Sequence, residues 1–445
     1  MVVEVKDQDL PTAANKKVLY DLTYANRGLS GIPGDTRSVG RTLINLFGAN
    51  CDLLLFPKSH VKRRYSRNIK PSQLSSYLRA ALKINSGRSV LPVRVHQVLI
   101  LLQSLSFYRK VQLLKVYDEL KTYSLESLNL SLPTNFAGEL FVATIGNSTR
   151  FARSLKRKSF RIDTSKYDFF VQQQIDPISV SRNTKHVVRL HDILPITHSQ
   201  FFDEFAIYIF ERGLRSLLKN KKILWVFDTN ASALEFQSIF GSDREVAYIP
   251  CLVGAQFHNI PTTITKLENL IVVVNTIEPR KNVSKIIENF RIAKNIGLIP
   301  NDYVLAILGT KGWQDDTLYK RLRKKKFGSD IKFIESPSNE VVADYFSRAR
   351  VVVSASTAEG FGLPPLEGML FGCIPVISNI PQHRETIGDH GFYFDPRDDS
   401  LAAVLKDAHL KSVDLSPIEF SKIQNYVVTN FGEDQIQKIW RDTLK

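Results

Sequence analysis

The sequence predicts an α/β protein built from two doubly wound domains, each with a parallel sheet covered by helices. Two observations lead to this prediction. Short β-branched runs that are apolar throughout alternate with helical stretches, which is the pattern of parallel strands buried on both faces. At 445 residues the chain is also too long for one comfortable core, so two domains of ordinary size are expected.

The alternation is clearest in the second half of the chain. Helical stretches at 283–297 and 338–349 lie between the apolar runs, and the latter begins with Ser338 and has Glu340 two positions on, a weak capping signal. The runs predict strands at 270–276, 303–310, 330–336, 349–356 and 373–378. We therefore expect a doubly wound domain over 261–425, preceded by a polar linker without periodicity at 258–269.

The first half is similar but less regular. Its apolar runs predict strands at 16–24, 186–194, 222–229 and 246–250. We expect a second doubly wound domain over 1–260, with a helical insertion at about 55–165, where the signal turns into helical stretches and polar loops. Because ligands bind beyond the carboxyl ends of parallel strands, two such domains joined by a linker predict a cleft.

The positive charge is concentrated in the first half. The net charge is +16, and residues 1–260 hold 36 Lys and Arg against 21 Asp and Glu. Clusters stand at 58–70 and 150–161. Such a half favours an anionic partner: a lipid headgroup surface, a lipid-linked pyrophosphate, an acidic glycan or a nucleic acid. The alternative is a solvated basic face that only aids solubility.

Cysteine usage and hydropathy indicate a cytoplasmic protein. The three cysteines are far apart and show neither a metal-ligand spacing nor a disulfide framework, which is typical of a reducing compartment. The N-terminus mixes acids with lysines and lacks the apolar core of a signal peptide. No run approaches the roughly 18 apolar residues of a membrane span, so any membrane contact is expected from the surface.

The stretch 358–369, AEGFGLPPLEGM, follows a predicted strand and begins a predicted helix. Gly360 and Gly362 let the backbone approach a ligand closely, and the amides of Gly362 and Leu363 at the helix start form an anion site. Glu359 and Glu367 are suited to accept hydrogen bonds from sugar and ribose hydroxyls beside that anion. Together these features indicate a nucleotide sugar. The alternative is a tight turn with Glu367 stabilising the helix N-terminus.

Two further stretches follow strands. In NTIEPRKN (275–282), Arg280 and Lys281 could neutralise a departing phosphate, although an ordinary surface turn is the alternative. In VVRLHDILPITH (187–198), His191 and Asp192 come directly after a strand, where a neutral histidine could bond a sugar hydroxyl or shuttle a proton. A lone histidine there is more often structural. The Gly-rich loop at 27–37 could wrap a ligand or be a plain flexible loop.

The paired glutamates with seven residues between them, inside EGFGLPPLEGMLFGCIPVIS, resemble the motif of retaining glycosyltransferases of family 4. The stretches NTIEPRKN, LAILGTKGW, LHDILP and SGIPGDTR fall in the order expected for that family. The resemblance implies a GT-B fold, with two Rossmann-like doubly wound domains facing a cleft. It also implies that residues 426–445 contain a helix that crosses back to the first domain, and that no metal or other cofactor is needed.

The resemblance also implies residue roles. Glu367 would bind the ribose hydroxyls and Glu359 the transferred sugar, while Arg280 and Lys281 would hold the diphosphate. The remaining implied donor contacts are the loop Gly360, Phe361, Gly362 and Leu363, with His191 by the donor sugar, Gly31 over the diphosphate, and Ser336 and Pro337 by the base. Many relatives have a glycine followed by an arginine or threonine after the first strand of this domain; this chain has Asn275 and Thr276, so Thr276 is only a candidate contact.

These implications predict a retaining, metal-independent hexosyltransferase with a nucleoside diphosphate sugar donor, GDP-mannose being slightly favoured. The acceptor would be a glycan or lipid-linked glycan in the synthesis of a cell-surface polysaccharide such as lipopolysaccharide, and the enzyme would be cytoplasmic or peripheral on the inner face of the membrane. The alternative is a catalytically inactive protein that binds a nucleotide sugar or an anionic polymer. Nucleic acid is disfavoured because the basic cluster at 58–70 contains Tyr65 alone as an aromatic.

Overall fold

A computed structural model of the protein describes residues 15–25, 31–55, 112–115, 130, 137–144, 160–263, 268–312 and 316–445. The basic cluster at 58–70, most of the cluster at 150–161 and most of the predicted insertion lie outside these residues. The chain divides into two compact units, Met1–Val188 with Gln437–Lys445, and Arg189–Ile436. The domain boundary at residue 260 stays a prediction.

The first unit has a largely parallel sheet. Its described elements are β1 Val18–Asp21, α1 Ile32–Phe47, β2 Cys51–Leu55, β3 Gln112–Lys115, β4 Leu140–Thr144, β5 Phe160–Arg161, β6 Phe169–Gln173, β7 Ile178–Ser179 and β8 Lys185–Arg189, which ends at the boundary of the unit. Six of these strands lie side by side in the order β8-β6-β1-β2-β4-β3. The register of β1 with β2 and β6, and of β2 with β4, is parallel, whereas β3 is antiparallel to β4.

Two of these strands correct the prediction of a helical insertion at 55–165. Strands β3 and β4 fall inside that interval and pair with each other. Their sequences, QLLK and LFVAT, are too short to show a period, so neighbouring helical patterns hid them. The predicted strand at 16–24 is confirmed as β1, whose four residues are all buried.

The second unit contains most of the described helices. Its elements are α2 Leu194–Thr197, α3 Glu204–Leu217, β9 Leu224–Phe227, α4 Asn230–Phe240, β10 Val246–Tyr248, β11 Glu268–Val274, α5 Val283–Asn295, β12 Val304–Gly309, α6 Asp316–Arg323, β13 Ile331–Glu335, α7 Asn339–Arg348, β14 Ala349–Ser354, α8 Leu363–Leu370, β15 Ile374–Ser378, α9 Pro381–Ile387, β16 Phe392–Phe394, α10 Leu401–Val413, α11 Pro417–Phe431 and α12 Glu433–Thr443, the last of which continues into the terminal residues counted with the first unit. Residue 426, the predicted start of the terminal segment, lies within α11.

The main sheet of this unit is doubly wound and parallel. Its strand order is β13-β12-β11-β14-β15-β16, and each neighbouring pair is parallel. The five strands predicted in the second half are confirmed, while β16 was not predicted because it has only three residues. The chain reverses its winding direction between β11 and β14. The carboxyl ends of these two neighbours therefore define the switch point, where open α/β sheets bind ligands.

Local signals explain where the helices begin and end. Ser338 accepts a hydrogen bond from the amide of Val341, which confirms it as the N-cap of α7. Gly372 ends α8 with φ of +87°, and a Cβ there would lie 2.6 Å from the ring of Phe420, so only glycine fits. None of the described helices is long and apolar enough to cross a membrane. The three cysteines are buried, and none forms a disulfide.

Candidate functional site

Two loops meet at the switch point of the second unit. One follows β11 and covers 275–282, and the other follows β14 and covers 355–362. Because β11 and β14 are parallel neighbours, both loops leave the same edge of the sheet. The amide of Thr357 donates to the carbonyl of Arg280 at 2.8 Å, which fastens the loops together. The sheet thus brings together the two stretches that the sequence marked separately.

A buried charged cluster joins these loops. The Nη1 atom of Arg280 lies 2.9 Å from Oε2 of Glu359, and Lys281 Nζ contacts the other carboxylate oxygen. Ser356 Oγ donates to Oε1 of Glu359 at 2.6 Å. On the other side of Arg280, its Nε atom lies 2.8 Å from Oε1 of Glu278. The two cations predicted to hold a diphosphate therefore share one carboxylate in this structure.

The pKa values of the two acids of the cluster are shifted in opposite directions. Burial would raise the pKa of Glu359, but the charges of Lys281 and Arg280 outweigh it and hold that pKa well below its usual range. Burial raises the pKa of Glu278, and the same two cations only partly oppose the rise. When Glu278 carries its proton, the cluster has a net positive charge, which favours an anionic ligand.

The glycine loop passes very close to neighbouring groups. A Cβ at Gly360 would lie 2.8 Å from the carbonyl oxygen of His191. Gly362 has φ of +88°, and a Cβ there would lie 3.0 Å from Cδ2 of His383. The ring of Phe361 is buried and packs edge-to-face on Phe431 at 5.6 Å, so only its backbone is left to meet a ligand. The glycines thus permit close packing of the loop on His191 and His383, and their predicted contact with a ligand stays a prediction.

Side chains from outside the loop fix its peptide groups. The carbonyls of Ala358, Gly360 and Phe361 each accept a side-chain hydrogen bond. The donors are, in that order, Arg280 at 3.0 Å, Thr229 at 3.1 Å and Thr386 at 3.4 Å. Leu363 follows as the first residue of α8, with Gly362 as its N-cap. The amides of Gly362 and Leu363 thus lie at the positive end of a helix, as the anion-site prediction requires.

Glu367 lies on α8 and is buried. Its Oε1 atom accepts a hydrogen bond of 2.5 Å from Nε2 of Gln256, a residue that the sequence did not single out. Burial raises the pKa of Glu367 to about 7, and the hydrogen bond from Gln256 opposes the rise. The two glutamates of the motif therefore differ: Glu359 is held as a carboxylate, while Glu367 titrates near neutral pH.

His191 belongs to a second buried ionic group. Its Nδ1 atom lies 2.6 Å from Oδ2 of Asp228, and the other oxygen of Asp228 lies 2.9 Å from Arg189. Burial would raise the pKa of Asp228, but the charges of His191 and Arg189 outweigh it and lower that pKa. Asp228 therefore fixes the imidazole through a carboxylate that stays ionised. Asp192, next in the chain, is also buried, and burial raises its pKa against the opposing charge of Arg280.

A further contact ties α4 to the region of the glycine loop. Glu385, on α9, accepts hydrogen bonds from the amides of Asn230 at 2.6 Å and Ala231 at 2.9 Å. These amides belong to the first turn of α4, where a carboxylate is electrostatically favoured. Thr229, the N-cap of α4, is also the residue that bonds the carbonyl of Gly360.

One group of side chains in the described residues could in principle hold a metal ion. His191, Asp228 and Cys251 offer ligand atoms within 4.8 Å of one another. Arg189, however, lies 2.9 Å from Asp228 and 3.6 Å from the sulfur of Cys251. A divalent cation would stand beside this buried guanidinium, so the donor set does not fit a metal.

The other predicted site residues lie at separate places. Thr276 is exposed after β11, whereas Ser336 follows β13 with φ of +52° and donates its amide to Gly309 at 2.9 Å. Pro337 is half-buried beside it. Gly31 belongs to the first unit, where it is the N-cap of α1 with φ of +62°. The second unit thus brings together His191, Arg280, Lys281, Glu359 and Glu367 with residues 360–363. It carries Thr276 after β11, and Ser336 and Pro337 after β13, with β12 between these two strands.

Sequence reasoning missed several residues of this site. Asp228 stands near the end of the predicted strand at 222–229, and the rule that ligands meet strand ends could have found it. Arg189 lies inside the predicted strand at 186–194, whereas the observed strand β8 ends at this residue. Glu278 lies inside NTIEPRKN, the stretch in which the two cations alone predict a ligand contact. Gln256 and His383 gave no usable signal, because one lies in a segment without periodicity and the other inside a short helix.

Comparison with known proteins finds a family match over part of the chain and a fold. Residues 257–413 match the family model described as glycosyl transferases group 1. The O-antigen chain mannosyltransferase B of Escherichia coli is 28% identical over 241 residues, which are 50% of this chain and 60% of that protein. The serotype-specific mannosyltransferase WbdA of Escherichia coli is 28% identical over 169 residues, which are 36% of this chain and 20% of that protein. The matches thus span less than two thirds of either relative.

Solved structures resemble the chain over nearly its whole length. The crystal structure of TarM has a TM-score of 0.59 at 12% identity, and the match covers 97% of this chain and 99% of the TarM chain. The crystal structure of Anabaena Alr3699/HepE in complex with UDP and glucose has a TM-score of 0.58 at 14% identity, and the match covers 97% of this chain and 99% of the Alr3699/HepE chain. The fold of the chain is GT-B, as the resemblance at the sequence level implied.

Proposed function

We propose that this chain is a retaining glycosyltransferase that takes a hexosyl unit from a nucleoside diphosphate sugar. The observation that carries the proposal is the junction at the switch point, where Arg280, Lys281 and Glu359 meet beside the N-terminus of α8. Two cations and a helix N-terminus suit a diphosphate, and the glutamates on either side suit hydroxyl groups. The family match over 257–413 covers this junction and supports the same activity.

The chemistry assigned to these residues is positioning and charge stabilisation. Arg280 and Lys281 would stabilise the negative charge that develops on the leaving diphosphate. Glu359 would accept hydrogen bonds from the transferred sugar, and Glu367 from the ribose. His191, fixed by Asp228, would lie by the donor sugar. A front-face route fits retention without an obvious nucleophile: the sugar–phosphate bond breaks, and the phosphate takes the proton of the acceptor hydroxyl on the side of attack.

We propose that no metal is needed, because the cationic side chains already supply the charge that a metal would bring to the diphosphate. The one group of described side chains with metal-ligand chemistry is neutralised by Arg189. A transfer assay in the presence of excess chelator tests this part. Full activity is expected, and loss that divalent ions restore would contradict it.

For the donor we favour GDP-mannose, and for the acceptor a glycan or lipid-linked glycan of a cell-surface polysaccharide. The support is that the curated relatives are named as O-antigen or serotype-specific mannosyltransferases. The net charge of +15 over residues 1–260, from 36 basic and 21 acidic residues, suits an anionic acceptor or an anionic membrane surface. We therefore propose a cytoplasmic enzyme, either free or peripheral on the inner face of the membrane.

The decisive experiment is a thermal-shift screen with GDP-, UDP-, ADP- and dTDP-sugars, followed by transfer assays with two variants. Glu367→Ala should mainly weaken donor binding, and Lys281→Ala should lower turnover by about 10²–10³-fold. Wild-type rates in both variants would overturn the assignment. Nuclear magnetic resonance of the product tests retention, since the anomeric configuration of the donor should be kept. Vesicle sedimentation with and without anionic lipid tests the membrane part separately.

The second candidate is a protein that binds a nucleotide sugar or an anionic polymer without catalysis. It is favoured by the pairing of Arg280 and Lys281 with Glu359, since both cations already have a protein carboxylate as partner in this structure. Binding of a nucleoside diphosphate sugar without transfer or hydrolysis, across a panel of donors, would support this candidate over the enzyme.

A further inference from the structure

The side chain of Gln256 is directed at one of the two glutamates of the motif. Its Nε2 atom donates to Oε1 of Glu367 at 2.5 Å, across 111 positions of sequence. Gln256 is half-buried and Glu367 is 6% exposed. An amide nitrogen can only donate, so this contact requires Oε1 to be an acceptor and favours the carboxylate over the protonated acid.

A tight turn holds Gln256 in this place. The amide of Phe257 donates to the carbonyl of Gly254 at 3.0 Å, with Gln256 inside the turn. Gly254 has φ of +82°, and a Cβ there would lie 2.5 Å from Cδ1 of Leu370. Leu370 belongs to α8, the helix that carries Glu367. The turn therefore lies directly against that helix, and its left-handed backbone at Gly254 favours glycine.

Contacts on both sides of the turn restrict its movement. Before it, the amide of Val253 donates to the carbonyl of Phe431 at 3.1 Å. After it, the ring of Phe257 packs edge-to-face on Phe371 at 5.1 Å, and on Phe346 at 6.4 Å. The backbone on which Gln256 stands is thus fixed before any ligand binds.

Among the residues that the structure describes, no charged group competes with Gln256 for this carboxylate. The pKa of Glu367 reflects burial, which raises it, and the Gln256 hydrogen bond, which lowers it. The titratable side chains of the described elements packed on α8 either contact other groups or are exposed. The contacts are His383 with Ser378, Arg384 with Asn379, Glu385 with α4, Glu419 with Lys411, Tyr426 with Thr386, Arg350 with Asn269, and Cys251 with Asp228. Lys422 is exposed to solvent.

We propose that Gln256 is a positioning residue that favours the ionised form of Glu367 and orients it, so that the free Oε2 atom can accept the hydroxyl groups of a ribose. The identity of the ligand in this proposal rests on the proposed function, whereas the contact between Gln256 and Glu367 does not. A protonated carboxyl group has lost acceptor capacity, so loss of Gln256 should weaken binding of a nucleoside diphosphate most where Glu367 takes up a proton. Gln256 acts through Glu367 and need not touch the reacting atoms.

The test compares Gln256→Met with a matched control, Gln424→Met. Gln424 is also a half-buried glutamine that bridges to α8, donating to the carbonyls of Leu370 and Pro261 at 2.8 Å each, but it does not contact Glu367. The primary readout is the titration of the Glu367 side-chain carboxyl by carbon-13 nuclear magnetic resonance, assigned by its loss in Glu367→Gln. This readout does not depend on catalysis.

We expect Gln256→Met to move the Glu367 titration upward by about one unit, a tenfold change in proton affinity, and Gln424→Met to leave it in place. In donor kinetics, Gln256→Met should raise KM about fivefold at pH 7 with kcat nearly unchanged, because the ionised fraction of Glu367 falls from about one half to about one tenth, and the difference should shrink above pH 8. In a protein that already carries Glu367→Gln, the further change Gln256→Met should add no pH dependence to KM. Thermal unfolding of both glutamine variants controls for loss of structure.

The outcomes distinguish the role of Gln256 from the proposed function of the chain. A Glu367 titration that is the same in Gln256→Met and the wild type overturns the inference, whatever the activity. A shifted titration in a protein that neither binds nor transfers any nucleotide sugar upholds the role of Gln256 and overturns the proposed function. A shifted titration with a pH-dependent KM supports both.

Discussion

Asp228 places Oδ2 at 2.6 Å from Nδ1 of His191, and its other oxygen at 2.9 Å from Arg189. One carboxylate thus faces a histidine of the candidate site on one side and a fully buried guanidinium on the other. A buried ionic group of this kind adds little net stability when complete, but removal of one partner leaves an uncompensated charge.

Asp228→Asn should therefore lower both stability and activity. The amide keeps the shape but not the charge, so Arg189 loses its counter-ion, and we expect the free energy of unfolding to fall by about 3 kcal/mol. Turnover should fall at least tenfold, because the imidazole of His191 is no longer held by a carboxylate. Asp243→Asn is the control, since Asp243 forms an exposed pair with Lys221. Urea unfolding and transfer assays measure the two effects; equal loss in both variants would contradict the prediction.

Glu359→Gln should increase the affinity for a nucleoside diphosphate while abolishing transfer. Arg280 and Lys281 then lose the carboxylate that they share, and a diphosphate can take its place without competition. We expect about tenfold tighter binding, or roughly 1.4 kcal/mol. Isothermal titration of GDP and UDP measures it. Glu335→Gln removes an equal charge from the more exposed pair with Arg323 and should leave the affinity unchanged. Weaker binding by Glu359→Gln would show that Glu359 does not compete with the ligand.

Gly362→Ala should weaken donor binding more than its backbone strain explains. Gly362 and Gly297 both have positive φ, +88° and +72°, but a Cβ at Gly362 would lie 3.0 Å from His383, whereas nothing lies within 4 Å at Gly297. Gly297→Ala should cost about 1–2 kcal/mol of folding free energy from left-handed backbone alone. Gly362→Ala should cost at least as much and also lower donor affinity about tenfold. Affinities that are equal in the two variants would remove the glycine loop from the site.

Glu367 should make stability depend on pH in an unusual direction. Because burial raises its pKa from 4.5 in the unfolded chain to about 7 when folded, its contribution is full below pH 4.5 and is lost as the pH rises through 7. Glu367→Gln does not titrate, so it should exceed the wild type in stability at pH 8 by up to about 3 kcal/mol, and the gap should close toward pH 4.5. Urea unfolding across this range measures the gap, and a constant difference would contradict the prediction.

The sequence predicted the second unit well because its strands are long and apolar. The runs LIVVV of β11 and VVVS of β14 do not alternate between apolar and polar residues, so they indicate strands buried on both faces. The residues that follow the two strands can then be placed at one edge of the sheet. The partners could not be predicted. That Glu359 pairs with Lys281 depends on the register of β11 against β14, which no local pattern contains. The position of Gln256 depends on a turn whose residues show no periodicity. Strands β3 and β4 depend on pairing between short segments that are distant in the sequence.

The three bonded carbonyls of the loop 358–361 have a consequence for the thermodynamics of ligand capture. A peptide unit is planar and trans, so a carbonyl held by Arg280, Thr229 or Thr386 also fixes the direction of the amide that follows it. The amides of Glu359, Phe361 and Gly362 are therefore aimed before a ligand arrives. Ordering of this backbone, which would otherwise cost about 1–2 kcal/mol per residue, is already complete at folding, and capture of an anion here should show a small unfavourable conformational entropy.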